Sequence, residues 1–357
     1  MRAWVADDIK RYALVGAGCL LGVALWAGSA RYEQSLVALG ALYALVAVGI
    51  YTPYILGGAV SLAYPAYLSI GGLGVGIVAR DTGWPILVGI PLAMVVSVVL
   101  AVILGFVTQR LTGFHLAAVT LLFALAFLTW MQTSESITGG GLGLTILRDV
   151  HLGPFLLFGT NMLIASLVVV GVLAFAVDRL ARSSFGIALQ ARRDVVPAAT
   201  ASGYSSRALD LTALGFGAAI ASLAGSLFTI SGGVVASGTF TVEMVFLALF
   251  MPLLGGRRTA WGAVLGAAIV IYLKFRVELL EGAGTFGFAL LVLAMVVLAP
   301  EGLLGAVSEL TGFVRNRLPG RRRDAMAEPA SHAATRGPSE VSSSADEVRV
   351  GAQVESS

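Results

Sequence analysis

The 357-residue chain is 57% hydrophobic and 12% charged, with a formal net charge of +3 and a mean hydropathy of +0.90. This excludes a soluble globular domain and an intrinsically disordered chain, and leaves a polytopic membrane protein. The single cysteine, Cys19, excludes a disulfide framework, and the basic surplus sits at the ends of apolar runs, where it reads as topology rather than nucleic-acid binding.

A hydrocarbon core of about 30 Å takes ~20 helical residues per crossing, so the chain before its polar tail has room for about ten spans. They must be helices, because open strands would leave backbone groups unpaired in lipid. Residues 1–11 carry Arg2, Lys10 and Arg11, and the apolar run from Tyr12 to Ala30 is expected to leave the cytoplasm as the first span. Gly28, Ser29 and Ala30 also resemble a small-residue cleavage site, so a signal peptide is the rival reading.

A second span is expected over Gln34 to Thr52. From Pro53 to Ala79, two prolines (Pro53, Pro65) and Gly57, Gly58, Gly71, Gly72, Gly74 and Gly76 predict a broken or kinked helix. Freed backbone groups at membrane depth are tolerated only beside protein or a watery cavity. The segment therefore either lines a translocation path, with Ser61, Tyr64, Tyr67 and Ser69 as its polar candidates, or serves close helix packing; both readings stand. An outer turn at Arg80 to Pro85, a span from Ile86 to Val107 and an inner turn at Gln109 to Gly113 follow. The next span, Phe114 to Gln132, adds His115 and Thr120 to the path candidates, an interfacial hydrogen bond being the plainer role for His115. A glycine-rich outer loop begins at Ser134, and a span from Phe155 to Val177 returns to the cytoplasm.

Residues 179–207 form the longest polar interruption, with Arg179, Arg182, Arg192, Arg193 and Arg207 marking the cytoplasmic face. Pro197 fits only the first turn of a helix, which predicts a short helix starting near Val196 and stopping at Gly203. Spans at Leu209 to Ser231, Thr241 to Leu254, Trp261 to Arg276 and Phe286 to Leu298 complete ten crossings with both termini cytoplasmic. Lys274 and Glu278 are expected to pair along one helix face. The domain plan is a cytoplasmic N-terminus at 1–11, a transmembrane region at 12–310 and a disordered tail at 311–357 whose arginines face anionic headgroups.

No zinc-protease, redox-cysteine, nucleophile-elbow or phosphate-loop pattern occurs, which predicts neither a resident cofactor or metal nor hydrolysis of ATP by the chain itself. Glu243, Glu278 and Glu281 fall near span ends, where water is available, so no ion-coupling acid stands out and the energy for uphill transport is expected from a partner.

Several segments resemble the LivM-type permeases of branched-chain amino-acid ABC importers. They are Gly57 to Gly72 with Ser61-Leu62 and Tyr64-Pro-Ala-Tyr67; Leu111-Thr-Gly-Phe-His-Leu-Ala-Ala-Val-Thr-Leu-Leu-Phe123; Ser136-Ile-Thr-Gly-Gly140 with Gly141-Leu-Gly-Leu144; Arg182-Ser-Ser-Phe-Gly186 with Arg193-Asp194; and Leu254-Gly-Gly256, Trp261-Gly262 and Ala299-Pro-Glu-Gly-Leu303. They keep the family's order over residues 34–306. Tyr64 stands where the family usually has His, and His115 where it usually has Tyr.

The resemblance implies an all-α, type II ABC importer permease in the bacterial cytoplasmic membrane. Its implied partners are a second, LivH-like permease, two cytoplasmic ATPases that bind the ATP, and an extracytoplasmic solute-binding protein. Ser184, Phe185, Gly186, Arg192, Arg193, Asp194, Ala198, Ala199 and Gly203 would form the ATPase-coupling surface, Phe185 as its apolar knob and the two arginines as its charged contacts. The implied cargo is a branched-chain amino acid, with urea and short amides as the alternative. A secondary carrier or channel is the competing class, and an intramembrane enzyme built on Ser61 and His115 is the remote one.

Overall fold

The computed structural model describes residues 31–82, 84–111, 113–146, 151–152, 155–156, 160–195 and 203–278. The expected spans at 12–30 and 286–298, the positions Ala198 and Ala199, and the tail at 311–357 lie outside the described residues. In chain order, α1 (Arg31–Tyr51) runs into a π-helical turn (Thr52–Leu56), and after a non-helical break α2 spans Tyr64–Asp81. A 3-10 turn (Ile86–Val88) opens α3 (Gly89–Val107), followed by α4 (Phe114–Thr133), the short α5 (Glu135–Thr138), β1 (Leu144–Thr145), β2 (His151–Leu152) and β3 (Phe155–Leu156). Then come α6 (Thr160–Ala181), α7 (Ser184–Asp194), α8 (Ser206–Gly232), β4 (Val234–Val235), α9 (Val242–Gly255) and α10 (Ala260–Glu278).

Among the described residues, five helical stretches are long and apolar enough to cross a membrane: Val37–Leu56, Ile86–Val107, Phe114–Thr133, Thr160–Ala181 and Ser206–Gly232; α9 and Ala260–Lys274 are shorter apolar helices. Exposure separates a centre from a periphery. On α3, Gly89, Ala93, Ser97, Ala101 and Gly105 are buried at every fourth position, while Leu92, Val95, Val99, Ile103 and Phe106 face outward. That division puts a strip of small residues against the bundle and a wide apolar face toward lipid or a partner subunit. Ile164, Val168, Val172 and Phe175 give α6 a similar outer face. The centre is α1, α2 and α8, with α10 and α9 packed on α1 and α3 against α2 and α8.

The broken segment has a local cause. Pro53 has no amide to donate and its ring crowds the turn before it, which loosens α1 into the π-helical turn. The helix then stops at Gly58, whose φ of +68° only glycine adopts cheaply. Gly58 N donates to Tyr54 O at 3.0 Å and Ala59 N to Pro53 O at 2.9 Å, two backbone bonds that close the end of the π-helical turn. Helix α2 restarts at Tyr64 with Pro65 in its first turn, where a missing amide costs nothing. Nearly every side chain of α2 up to Gly76 is buried, so this helix is walled by protein rather than lipid.

One expectation is corrected. The span placed at Phe155 to Val177 is the helix Thr160–Ala181, because Phe155–Leu156 pair with His151–Leu152. A helix that the sequence reading did not mark runs over Ser184–Asp194, with Ser183 capping its N-terminus; the helix expected from near Val196 to Gly203 falls on positions 196–202, which lie outside the described residues. Lys274 pairs with Glu243 of α9 at 3.6 Å, and the side chain of Glu278, its expected partner, lies outside the described residues. The turns expected in the glycine-rich loop are present: Glu135–Thr138 and Gly140–Leu142 lead to β1, which pairs antiparallel with β4.

Candidate functional site

The two ends of the break, residues 57–63, are held by different parts of the chain. At its start, α7 lies against the π turn. Leu189 is fully buried and would meet a Cβ added at Gly57 at 3.4 Å, so it occupies the notch that the break opens. Arg192 Nη1 donates to Gly57 O at 3.1 Å, and Arg193 Nη1 donates to Ile55 O. A helix end leaves its last carbonyls without intrahelical partners, and burying them unpaired is costly. The amides of Ala59 and Gly58 take the carbonyls of Pro53 and Tyr54, and the two arginines take those of Ile55 and Gly57. Arg192 also forms an ion pair with Asp210 near the start of α8.

The same end of the bundle is knit further. Arg182 pairs with Asp178 at 3.1 Å, the Ala260 amide at the start of α10 also bonds to that carboxylate, and Tyr51 Oη donates to Arg257 O at 3.0 Å. Gln190 Nε2 donates to Ala181 O at 3.0 Å, folding α7 back over the last turn of α6. Gly186 sits where a Cβ would lie 2.3 Å from Leu180 O, so the turn into α7 is tight. These contacts fix the rotation of α7. Phe185 is half-buried and packs on the core, while Ile187 is 60% exposed and points away from it.

At the far end of the break, Leu62 N donates to Thr120 Oγ1 of α4 at 2.9 Å, and Thr120 returns its own proton to Leu116 O at 2.8 Å. Ser61 Oγ accepts from Ala63 N at 3.4 Å. Tyr64 Oη donates to Gly49 O at 3.1 Å, and its ring meets Tyr67 edge-on with centroids 5.9 Å apart. Ser61, Tyr64, Tyr67, Ser69 and Thr120 are all buried; Ser69 Oγ has no hydrogen-bond partner among the described residues. His115 stands apart, exposed at the start of α4 with its ring edge-on to Phe114 at 6.3 Å.

The structure thus joins Ser61, Tyr64 and Thr120 around one end of the break and Arg192 and Arg193 at the other. It does not bring His115 to Ser61. Of the loop residues singled out in the sequence, Ser184 and Asp194 are exposed, Gly186 is buried and Gly203 lies in an exposed turn. Sequence reasoning missed Leu189 as the anchor, Ile187 as the exposed apolar side chain and Asp210 as the partner of Arg192. The signal for the first two is the run Phe185 to Leu189, which shows its faces only once a helix starting at Ser184 is assumed.

Thr120→Val keeps the shape and removes the acceptor, leaving the buried Leu62 amide unpaired. That is expected to cost about 1–3 kcal/mol, read as a lower thermal midpoint of the detergent-purified protein, with an unchanged midpoint counting against the Leu62 contact.

The sequence profile of the family described as branched-chain amino acid transport system / permease component matches residues 34–300. The high-affinity branched-chain amino acid transport system permease protein LivM of Salmonella typhimurium is 27% identical over 290 residues, covering 74% of this chain and 68% of that protein. The protein of the same name from Escherichia coli is 25% identical over 325 residues, covering 84% and 76%. No solved structure matches.

Proposed function

This chain belongs to the permease-component family of branched-chain amino acid transport systems, and from that membership we propose a working arrangement for it as a subunit that an external motor drives. The chain is a multi-pass permease subunit working with other subunits. Its cargo is a branched-chain amino acid moving inward, handed over by an extracytoplasmic binding protein. A second, LivH-like permease completes the membrane part, two cytoplasmic ATPases bind and hydrolyse the ATP, and the chain itself needs no cofactor. The end carrying α7 faces the cytoplasm, in keeping with the arginines gathered there, and both termini lie on that side.

One observation carries this reading: an eleven-residue helix outside the long spans is seated on a broken membrane helix and turns one apolar residue, Ile187, to the outside. A motor pushing on that helix acts at the point where the membrane helix is already interrupted, and rigid-body closure of a partner can then be passed to the bundle. The buried lining at Ser61, Tyr64, Tyr67 and Thr120 suits an apolar side chain with a few polar contacts.

The test is uptake by cells that lack leucine transport of their own and express this chain with its companion subunits. Labelled leucine should accumulate, and excess valine or isoleucine should suppress it while urea should not. Suppression by urea with no effect of valine or isoleucine would move the cargo to short amides.

A further inference from the structure

Arg192 and Arg193 lie on the loop helix and are spent on the carbonyls that the break in the first described membrane helix leaves open. Arg192 Nη1 reaches Gly57 O at 3.1 Å and Arg193 Nη1 reaches Ile55 O, 135 and 138 positions away in sequence. We propose that these two guanidiniums are positioning residues that clamp α7 to the break, so that movement of the loop helix is passed to residues 57–63 and through them to Leu62 and Tyr64. The inference rests on the reading of the chain as a permease driven through α7.

Three features make the pair a clamp rather than surface decoration. First, its acceptors are the C-terminal carbonyls of a helix, where partial negative charge collects and where a cation is favoured. Second, the guanidinium is a rigid fork with five donors, so Arg192 holds Gly57 O and the Asp210 carboxylate at once, which one lysine nitrogen cannot do with the same geometry. Arg192 therefore ties three elements, the end of α1, α7 and α8, at one side chain. Third, the contact is close-packed: a Cβ at Gly58 would lie 2.7 Å from Arg193 Cγ, and Leu189 fills the space beneath Gly57. With the far end of the break tied to Thr120, the seven residues 57–63 are a short tether with a fixed grip at each end. Pulling on one grip moves the other.

The experiment uses the whole transporter and a triple variant, R192M/R193M/D210L. Replacing both members of a partly buried ion pair by apolar residues of similar volume is often neutral for folding, and Asp194, which Arg193 also meets, is exposed, so the variant removes both guanidiniums without stranding a buried charge. Hydrogen exchange of residues 57–63 is followed in the assembled complex before and after vanadate trapping of its ATPases. In the wild type, trapping is expected to change exchange in 57–63 by at least about tenfold; in R192M/R193M/D210L, exchange there is fast in both states and no longer responds. R192K is expected to fall between them.

Exchange in 57–63 of R192M/R193M/D210L that follows trapping as in the wild type overturns the clamp. So does a variant that no longer copurifies with the ATPases, since the arginine would then be serving subunit docking. Leucine transport by the wild-type complex, measured alongside, bears on the cargo alone: its absence removes the proposed substrate and leaves the exchange result to stand or fall by itself.

Discussion

Gly225→Val should abolish the folded protein. A Cβ at Gly225 would lie 2.0 Å from Leu68 O of α2, and reciprocally a Cβ at Gly71 would lie 1.9 Å from Ser222 O of α8. Both obstacles are backbone, which cannot swing aside as a side-chain tip can. Helix α8 cannot move off either, because it also packs on α1 and α3, and Ser226 Oγ, donating to Gly71 O at 2.9 Å, fixes the same register. Overpacking a well-filled core costs about 1–3 kcal/mol and occasionally more, and two helices forced apart along their contact forfeit neighbouring contacts as well. Against a typical total of about 5–15 kcal/mol, that is enough to remove the monodisperse species from a detergent extract. Gly238→Val is the control, since nothing lies within 4 Å of a Cβ there. A G225V protein that elutes and melts like the wild type would show that α2 and α8 do not meet at these glycines.

Ile187→Asp should leave the fold intact and destroy the grip of the ATPase. Ile187 is 60% exposed, so a polar substitution costs the isolated chain little, within about 0.5 kcal/mol. An apolar anchor pressed into a partner's pocket is worth ~2 kcal/mol or more when removed, and an inserted carboxylate adds a desolvation penalty. At about 1.4 kcal/mol per tenfold, the ATPase should bind at least roughly thirtyfold more weakly, and uptake should fall with it. Phe185→Asp offers the contrast. Phe185 packs on the core, so its replacement should lower the melting temperature as well as ATPase binding. Equal ATPase binding by I187D and wild type would remove Ile187 from the docking surface.

The spans among the described residues and the break were legible in the sequence because both follow from short-range chemistry: apolar run length in one case, and Pro53, Gly58 and Pro65 acting on their own turns in the other. The polar character around Ser61, Tyr64 and Thr120 was legible for the same reason. What the sequence hid were choices made across long separations. Arg192 and Arg193 looked like cytoplasmic charges available to a partner, and only the fold shows that α7 delivers them to carbonyls on α1. Asp210 looked like the polar margin of a span until α8 placed it beside Arg192. Phe185 alone was named as the knob, and Ile187 was passed over, until Leu189, seated in the notch beneath Gly57, fixed a rotation that packs Phe185 on the core and turns Ile187 outward. The helix at Ser184–Asp194 was passed over because Pro197 drew the expected helix start to Val196; its signal is Ser183, whose side chain supplies the cap.

The claim on which the account turns is that this subunit cannot drive transport on its own. The direct measurement is labelled leucine accumulation in sealed vesicles containing the chain and its companion permease, supplied with leucine-loaded binding protein on the outer side, with the ATPase subunits and ATP present or omitted inside. Accumulation against a gradient only when both ATPase and ATP are present is the predicted result; accumulation to the same level in vesicles without the ATPase would contradict it.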